Sequence, residues 1–459
     1  MRSNGQATLL QDPPITSDFF STQKRPELVR AVKSRQSERF APYPPQNLAD
    51  LGLPATIVEH LIFKFLYFRG DMMANDLSKA MGLKFSLIQS MMETFRLQQL
   101  VHIKSSLGLG PISSLFSLTD LGRKAARECL ESNHYTGPAP VPINQYAAAV
   151  QSQKMPPNWL KPERLAKAYE NMVITDGMLD QIGPAVSSGK SLLIYGQPGN
   201  GKTYVAEALA RIQTNDIYIP YALEYQGNII QLFDPTCHKQ VDIPEQEANC
   251  EADGRWVRVK RPFIISGGEL SVSMLDLSHN RASGIYEAPL QLKANNGIYL
   301  VDDFGRQVAS PMEILNRWIV PMDRHVDYLS FANGGKMQVP FESFLVFSSN
   351  LHPSQLGDEA FLRRIQYKML LKSPEEDEFY TIFKNYCESQ SLTPHPELIA
   401  DFIRRHYTDT GKSFRRCHPR DVISQAIDHM HFRRLPLELT AEVLDRAFDG
   451  CFVQSKAID

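Results

Sequence analysis

One run of residues in this sequence is suited to holding a chain of phosphates. Residues 196–203 read Gly-Gln-Pro-Gly-Asn-Gly-Lys-Thr, which is the spacing G-x-x-x-x-G-K-T. Glycines let backbone N–H groups curl around phosphate oxygens, and a helix that begins at the end of the run adds positive potential. Lys202 can reach the β- and γ-phosphates of a nucleotide, and the Thr203 hydroxyl can ligate Mg²⁺. The run therefore predicts a site for a nucleotide with Mg²⁺, and it is called the phosphate loop below.

The residues on either side favour the same prediction. The apolar run at 191–195 has the length of a buried strand, and residues 204–212 have the composition of a helix. A strand, a glycine-rich loop and a helix in this order form the context that the motif needs. The residues predicted to bind the nucleotide are Gly196, Gln197, Pro198, Gly199, Asn200, Gly201, Lys202 and Thr203.

Two carboxylates follow a second apolar run and could serve the same site. Residues 298–301 are Ile-Tyr-Leu-Val, and Asp302 and Asp303 come directly after them. A phosphoryl-transfer site needs an acid that holds Mg²⁺ and a group that orients the attacking water. Asp302 is predicted to hold Mg²⁺ and Asp303 to place the water. The alternative for Asp303 is a capping residue before Phe304 and Gly305.

Further polar residues follow later elements. Asn350 ends the apolar run that begins at Phe344, and the segment 356–365 contains Arg363 and Arg364. A guanidinium can bind phosphate through two hydrogen bonds and can act across a subunit boundary. Either arginine could act in this way, and the other would form a structural ion pair.

The C-terminal part reads as a small helical lid. Ser373, Pro374 and Glu376 have the spacing of a helix start, with a cap, a proline and a glutamate that reaches back. A later helix is predicted to begin at His418-Pro419, and it contains Arg420. Arg420 could reach the phosphates from the lid; Arg415 and Arg416 could compete for this role, and a surface arginine is the alternative.

In this order, over residues 160–450, the five motifs resemble those of AAA+ ATPases. The resemblance implies an α/β core that hydrolyses ATP, with Asp302 in the Walker B strand and Asn350 at the sensor 1 position. It implies that Arg363 or Arg364 acts on a neighbouring subunit, and that Arg420 is the sensor 2 residue. A homo-oligomeric ring of about six subunits follows from the resemblance alone. AAA+ proteins often have Glu where this chain has Asp303, and the Asp-Asp version resembles helicase-loader and initiator branches.

Two further features narrow the resemblance. Asn333-Gly334-Gly335 is a hairpin turn signal between predicted strands at 326–331 and 336–341. The runs 229–233 and 256–260 look like strands that flank a polar loop, within an insertion at about 224–265. Paired insertions of this kind resemble the MoxR-like branch, some of whose members are described as chaperone-like ATPases. In that branch the hairpins can face the pore of a ring or a partner.

The sequence pattern of residues 46–135 predicts a compact helical unit. Ile57, Leu61 and Phe65 have helical spacing, further helices are predicted at about 72–81 and 85–99, and extended pieces follow at 101–103 and 115–118. This is winged-helix order, and residues 116–123 resemble the wing-to-helix segment of MarR-like proteins. The third helix is apolar for one that reads DNA, so we expect protein docking or a structural role, with DNA binding as the alternative.

The remaining segments complete the predicted organisation. Residues 1–45 form a polar, basic arm that is expected to be disordered, and residues 136–158 read as an extended proline-rich linker. The core then covers 159–372, with an α/β fold of the P-loop AAA+ type, and the lid covers 373–459. Because 459 residues exceed one ordinary core, two or three domains were the expected number.

Composition excludes several classes of protein. The formal net charge is −2, so no global field attracts nucleic acid or an acidic membrane. Six scattered cysteines without a C-x-x-C pair do not form a disulfide framework or a zinc site. The N-terminus lacks the apolar run of a signal peptide, and no stretch is long enough for a membrane span. We expect a soluble cytoplasmic protein.

Three functions fit these predictions. The first is a chaperone-like ATPase that remodels a protein partner. The second is a DNA-associated motor, loader or transposition helper, which would use the winged helix and the basic arm to bind DNA. The third is a regulatory switch that binds ATP and hydrolyses little of it.

Overall fold

The computed structural model describes residues 40–106, 111–156, 159–213, 215–242, 252–393 and 395–452. Most of the predicted basic arm, residues 1–39, lies outside the described residues, as do 453–459 at the end of the predicted lid. Among the helices of the described ranges, none combines the length and the apolar character that crossing a bilayer requires.

The N-terminal unit contains five helices and three strands. They are α1 (Leu48–Leu51), α2 (Ala55–Arg69), β1 (Met72–Met73), α3 (Ala74–Met81), α4 (Phe85–Leu97), β2 (Val101–Ser106), β3 (Ser114–Leu118) and α5 (Asp120–Ser132). The predicted helices and extended pieces of this unit are present, and β1 adds a strand that the periodicity did not indicate. The strands pair antiparallel in the order β1-β3-β2, and the helices bury their apolar faces in one core.

The central region begins with β4 (Val141–Pro142), α6 (Ile143–Ser152), α7 (Pro162–Ala168), α8 (Asp176–Ser188), β5 (Leu192–Tyr195), α9 (Lys202–Ile212), β6 (Asp216–Pro220), β7 (Ala222–Tyr225), β8 (Asn228–Gln231), β9 (Trp256–Lys260) and β10 (Phe263–Ser266). It continues with β11 (Ser278–Asn280), β12 (Ile285–Glu287), α10 (Leu290–Lys293), β13 (Ile298–Val301), α11 (Pro311–Arg324), β14 (Val326–Ser330), β15 (Lys336–Pro340), β16 (Phe344–Ser349), α12 (Pro353–Leu356), α13 (Glu359–Leu362) and β17 (Tyr367–Leu370).

Five of these strands form a parallel sheet in the order β10-β13-β16-β5-β17. Strands β13 and β16 are buried along their whole length, as expected where helices cover both faces of a parallel sheet. Two separate apolar clusters occupy the two faces. The predicted α/β fold is therefore confirmed, and β16 lies directly between the strand of the phosphate loop and the strand that precedes Asp302.

A second β unit lies beside this sheet, and it corrects the predicted hairpins. The runs 229–233 and 256–260 do not pair with each other: β8 joins the sheet β11-β12-β8-β7-β4, whereas β9 pairs with β6. The hairpin β14–β15 is present, and its Phe331 ring stacks on Tyr225 with centroids 5.8 Å apart. All three β layers share one apolar cluster, because each has an apolar face that must be buried.

The predicted proline-rich linker is also corrected by the structure. Instead of an extended segment, residues 136–158 contain β4 and the ten-residue helix α6. The prolines lie at its two ends, and the residues between them are good helix formers. Tyr146 and Val150 of α6 are buried in the core of the β unit, and the Tyr146 hydroxyl accepts a hydrogen bond from Asn295 Nδ2 at 2.9 Å.

The N-terminal unit is fastened to the β unit by a backbone contact and by a hydrogen bond from the buried Arg255, which is paired with Asp253 of its own unit. Arg255 and Asp253 are 3% and 2% exposed, and Arg255 also donates to the Leu51 carbonyl at 3.3 Å. Next to this pair, Gly254 approaches Gly82 so closely that a Cβ built on Gly254 would lie 2.9 Å from the Gly82 Cα. The hydrogen bond from the buried guanidinium to Leu51 and the close approach of the two glycines therefore constrain the relative position of both units.

The C-terminal unit contains α14 (Glu376–Ser389), α15 (Pro396–Ile403), α16 (His418–Arg433) and α17 (Ala441–Cys451), with one turn of π-helix at Arg404–Thr408. These helices share one apolar cluster. The predicted start at His418 is confirmed. The predicted cap at Ser373 is wrong: α14 begins at Glu376 with Glu375 at the N-cap, and Ser373 faces the phosphate loop instead.

The contact between Gly82 and Gly254 yields the first prediction. We expect Gly254→Ala to lower the free energy of unfolding by about 1–3 kcal/mol, because the added methyl group meets backbone atoms that cannot rotate away. Gly177→Ala in α8 is the matched control, since a Cβ there meets nothing within 4 Å. The control should leave stability unchanged or raise it slightly. Urea denaturation followed by circular dichroism measures both, and equal midpoints for the two variants would contradict the contact.

Candidate functional site

The phosphate loop connects the end of β5 to the start of α9. Gly199 and Gly201 have φ angles of 79° and 83°, in the left-handed region that favours glycine. A Cβ on Gly196 would lie 2.4 Å from the Leu371 carbonyl oxygen, and one on Gly199 would lie 2.7 Å from the Cys417 sulfur. All three glycines are therefore required by the conformation or by close neighbours.

Lys202 is the first residue of α9 and is 6% exposed. Its Nζ donates to the carbonyl oxygens of Gly196 and Gln197, both at 3.1 Å, and to Asn350 Oδ1 at 2.6 Å. Burial lowers the pKa of Lys202, while the carboxylates of Asp303 and Asp302 act to raise it. The amine is thus held in a concave site whose partners are neutral oxygens, and a bound anion would stabilise its charge.

Thr203, in the first turn of α9, faces Asp302, which follows the end of β13. The Thr203 hydroxyl lies 3.0 Å from Asp302 Oδ2 and 3.1 Å from Oδ1. The Asp302 amide donates to the Ser266 carbonyl at 2.8 Å, which fixes the carboxylate at the edge of the sheet. A hydroxyl and a carboxylate are the hard oxygen ligands that Mg²⁺ prefers, so this donor set fits the predicted ion.

Asp303 and Asn350 form the next contact of the site. Asn350 Nδ2 donates to Asp303 Oδ1 at 2.7 Å, while its Oδ1 accepts from Lys202. Asp303 is exposed and has a φ angle of 50°, a backbone conformation that costs free energy for a residue with a side chain. One amide therefore links the lysine of the phosphate loop to a carboxylate that is open to water.

The two arginines after α13 lie in different surroundings. Arg363 is exposed. Arg364 is half-buried, with its Nε 3.7 Å from Asp323 Oδ2, and its carbonyl oxygen accepts from Ser191 Oγ at 3.1 Å. Arg364 thus has the position of a structural residue, whereas Arg363 is open to solvent.

The arginine of the lid that lies beside the phosphate loop is Arg415, not the predicted Arg420. Arg420 is 65% exposed and binds the neighbouring Asp421 at 3.0 Å, at the surface of α16. Arg415 Nη1 instead donates to Ser373 Oγ beside the phosphate loop, and its charge acts to lower the pKa of Lys202. Arg416 is occupied by Glu378 and the Val173 carbonyl. Helix α16 begins only at His418, so Arg415 in the preceding turn can face the loop, while Arg420 projects outward.

Ser373 and Cys417 also lie at the site, and neither was predicted there. Cys417 donates its backbone N–H to the Gly199 carbonyl at 2.9 Å, and Ser373 Oγ accepts from Asn200 Nδ2 at 3.4 Å. For Ser373 a signal was present: it follows β17 by three residues, and the carboxyl ends of parallel strands lie at one edge of the sheet. Nothing in the local pattern indicates Cys417.

Comparisons with known proteins give one family match. Residues 375–450 match the model of a family described as a domain of unknown function, DUF8689. This match covers the four helices of the C-terminal unit and does not include the phosphate loop at 196–203. No curated protein matches the sequence.

Solved structures with a similar arrangement include NtrX from Brucella abortus, at a TM-score of 0.39 and 12% identity, covering 63% of this chain and 58% of that one. NtrX in complex with ATP aligns at a TM-score of 0.35 and 11% identity, over 64% of this chain and 60% of that one. The Holliday junction branch migration motor RuvB from Thermotoga maritima aligns at a TM-score of 0.34 and 12% identity, over 64% of this chain and 70% of that one. The chain thus spans less than two thirds of the NtrX chains, and the fold stated above is based on its own sheet and loops.

Proposed function

We propose that this protein is an AAA+ ATPase that binds ATP with Mg²⁺ and hydrolyses it. The observation that supports this best is a single connected cluster at the carboxyl edge of the parallel sheet. Lys202 contacts Asn350, Asn350 contacts Asp303, and Thr203 contacts Asp302. A phosphate-binding loop, an Mg²⁺ donor pair and a water-facing carboxylate are the parts that phosphoryl transfer to water requires.

Each residue has a role that follows from its position. Lys202 leaves the loop carbonyls and binds the β- and γ-phosphate oxygens, where its charge is better satisfied. Bound Mg²⁺, held by Thr203 and Asp302, would neutralise charge on the phosphates. Asp303 accepts a proton from the attacking water, and Asn350 orients that water beside the γ-phosphate. Arg415 approaches the same phosphate from the lid, in the role that the sequence motif alone gave to Arg420.

The exposed Arg363 is our candidate for a residue that completes the site of a neighbouring subunit. Arg364 already has a carboxylate neighbour in Asp323 and is half-buried, which favours a structural role. A guanidinium that is exposed on one subunit can neutralise charge in the transition state on the next. The proposal therefore includes a homo-oligomer with head-to-tail interfaces, which close into a ring when the rotation permits.

We further propose that the N-terminal unit is a winged-helix-like domain over 46–135 and that its binding partner is a protein. In α4 the outward residues Ser86 and Ser90 are uncharged, and the acidic Glu93 balances the basic Arg96. DNA phosphates are bound by basic side chains, so this face is poorly suited to the major groove. The apolar residues of α4 are buried in the core of the unit. Hydrolysis would then drive the remodelling of a protein, as in the chaperone-like branch.

Substitution of the catalytic carboxylate tests the hydrolysis step. We expect Asp303→Asn to lower kcat about a hundredfold or more, because the amide cannot accept the proton, and to change ATP binding little. Asp180→Asn, on the exposed surface of α8, is the matched control and should keep wild-type turnover. Phosphate release and equilibrium binding of ATP are measured in parallel. Unchanged turnover in Asp303→Asn would show that Asp303 is only a capping residue.

Mixing two inactive variants tests the subunit boundary. Arg363→Ala and Asp303→Asn should each be inactive alone. In a co-expressed mixture, about a quarter of the head-to-tail interfaces pair an intact Asp303 with an intact Arg363, so activity should return to roughly that fraction. A mixture of Arg364→Ala with Asp303→Asn is the control that separates the two arginines. If the activity of the first mixture does not exceed the summed activities of the two variants measured alone, Arg363 does not act in the site of the neighbouring subunit.

Turnover in the presence of nucleic acid tests the choice of partner. We expect ATP hydrolysis to change less than about twofold when double-stranded or single-stranded DNA is added at moderate salt. The reason is that the outward face of α4 has no excess of basic residues. Strong stimulation that declines steeply as salt is raised would favour the DNA-associated motor. An absence of turnover in all conditions, with ATP still bound, would favour the regulatory switch.

A further inference from the structure

The lid and the segment that connects it to the core each contact the phosphate loop at a point that takes no part in the proposed chemistry. The Cys417 N–H donates to the Gly199 carbonyl at 2.9 Å, and the Cys417 sulfur covers the same glycine. The second point is Ser373, in the segment that joins β17 to α14. Its hydroxyl oxygen accepts from Asn200 Nδ2 at 3.4 Å and also from Arg415 Nη1.

The Ser373 hydroxyl thus connects three segments of the chain. Asn200 belongs to the phosphate loop, Arg415 belongs to the lid, and Ser373 belongs to the connection between the core and the lid. A hydroxyl oxygen has two acceptor positions, and these two donors use both of them. Asn200 is fully buried, and its Oδ1 has no partner among the described residues. Its orientation therefore depends on the acceptors of its Nδ2, which are Ser373 Oγ at 3.4 Å and the Leu371 carbonyl at 3.5 Å.

Arg415 has a reason to leave this position when a nucleotide binds. It faces the same gap as Lys202, and the two cations repel each other. An anionic phosphate between them would satisfy both charges, and charge-assisted hydrogen bonds to phosphate are stronger than a bond to a neutral hydroxyl. The contact with Ser373 is therefore a resting position that competes with phosphate binding.

We propose that Ser373 is a positioning residue that latches residues 375–450 onto the phosphate loop in the nucleotide-free protein and releases Arg415 when ATP binds. This inference rests on the proposed function, because it requires the loop to bind ATP. It assigns to the C-terminal family of unknown function the role of a lid that senses the occupancy of the loop. Neither the phosphate-loop motif nor the arginine of the lid identifies the serine that connects them.

The thiol of Cys417 provides a direct readout of the latch. Burial against Gly199 raises its pKa to about 11, so a closed lid should make alkylation slow. Cys387, which is fully buried inside the lid, reports unfolding of the lid itself. Alkylation by N-ethylmaleimide, followed by peptide mapping with mass spectrometry, distinguishes the two cysteines in the full-length protein.

Ser373→Ala removes both hydrogen bonds, and Ser373→Thr keeps the hydroxyl. Without nucleotide, we expect Ser373→Ala to speed alkylation of Cys417 about threefold or more and to leave Cys387 protected. We also expect it to lower the dissociation constant for ATP about threefold or more, with kcat unchanged within about twofold, because a bond that competes with ATP is lost. Ser373→Thr should restore wild-type values for both.

The outcomes separate the latch from the proposed function. A wild-type protein that fails to bind ATP overturns the proposed function and, with it, the gating. If the wild type binds ATP but alkylation of Cys417 is the same in Ser373→Ala, the latch alone is wrong. Weaker ATP binding in Ser373→Ala, with Cys417 still protected, would give Ser373 an ordinary structural role and also overturn the proposal.

Discussion

The hydrogen bond between Lys202 and Asn350 is the contact on which the rest of the site depends. Lys202 is nearly buried, and a buried ammonium group must be bound by oxygens that are fixed in place. Two of these oxygens are carbonyls of its own loop, and the third is supplied by Asn350, which is 148 residues away in the chain. The same amide binds Asp303, so the lysine fixes the position of the carboxylate that faces water.

The strand order makes this contact geometrically feasible. Because β16 lies between β5 and β13, Asn350, the residue that follows β16, meets Lys202 of the phosphate loop on one side and Asp303 on the other. Parallel pairing brings the carboxyl ends of all three strands to one edge. The chain reaches β16 only after leaving β13 through α11 and the hairpin β14–β15. The hairpin therefore separates the acids from Asn350 along the sequence, while the sheet places them together in space.

Local sequence predicted the elements whose signals are local. The phosphate loop, the acidic strand, the Asn333-Gly334 turn and the start of α16 all depend on residues within one element, and the structure has all of them. The pairing of β6 with β9 joins residues about forty positions apart. An apolar run in the sequence does not indicate which other strand it pairs with. For this reason the sequence pattern predicts a hairpin between 229–233 and 256–260, which the structure does not contain. Helix α6 was missed because the prolines on either side of it dominated the composition of its segment.

At the site, the sequence predicted which residues of the core lie close together, but not which arginine of the lid faces them. Lys202, Thr203, Asp302, Asp303 and Asn350 come together as expected, and their catalytic roles stay predictions. The motif predicts Arg420, yet the direction of a side chain depends on where its helix begins. Arg415 lies in the turn before α16, and so its guanidinium faces the loop.

The two ends of the chain are therefore attached to the catalytic sheet in different ways. The N-terminal unit is fixed to the β unit by two glycines in backbone contact and by the buried Arg255, which donates to the Leu51 carbonyl. Strand β9 of the β unit leads directly into β10 of the sheet. The C-terminal unit meets the phosphate loop through one backbone hydrogen bond and the hydroxyl of Ser373. Opening the first contact would take a buried guanidinium from its carbonyl acceptor and separate two closely packed glycines, whereas a bound phosphate can replace what the second contact supplies. Movement driven by ATP should accordingly begin at the lid, and the N-terminal unit should follow the sheet as one body.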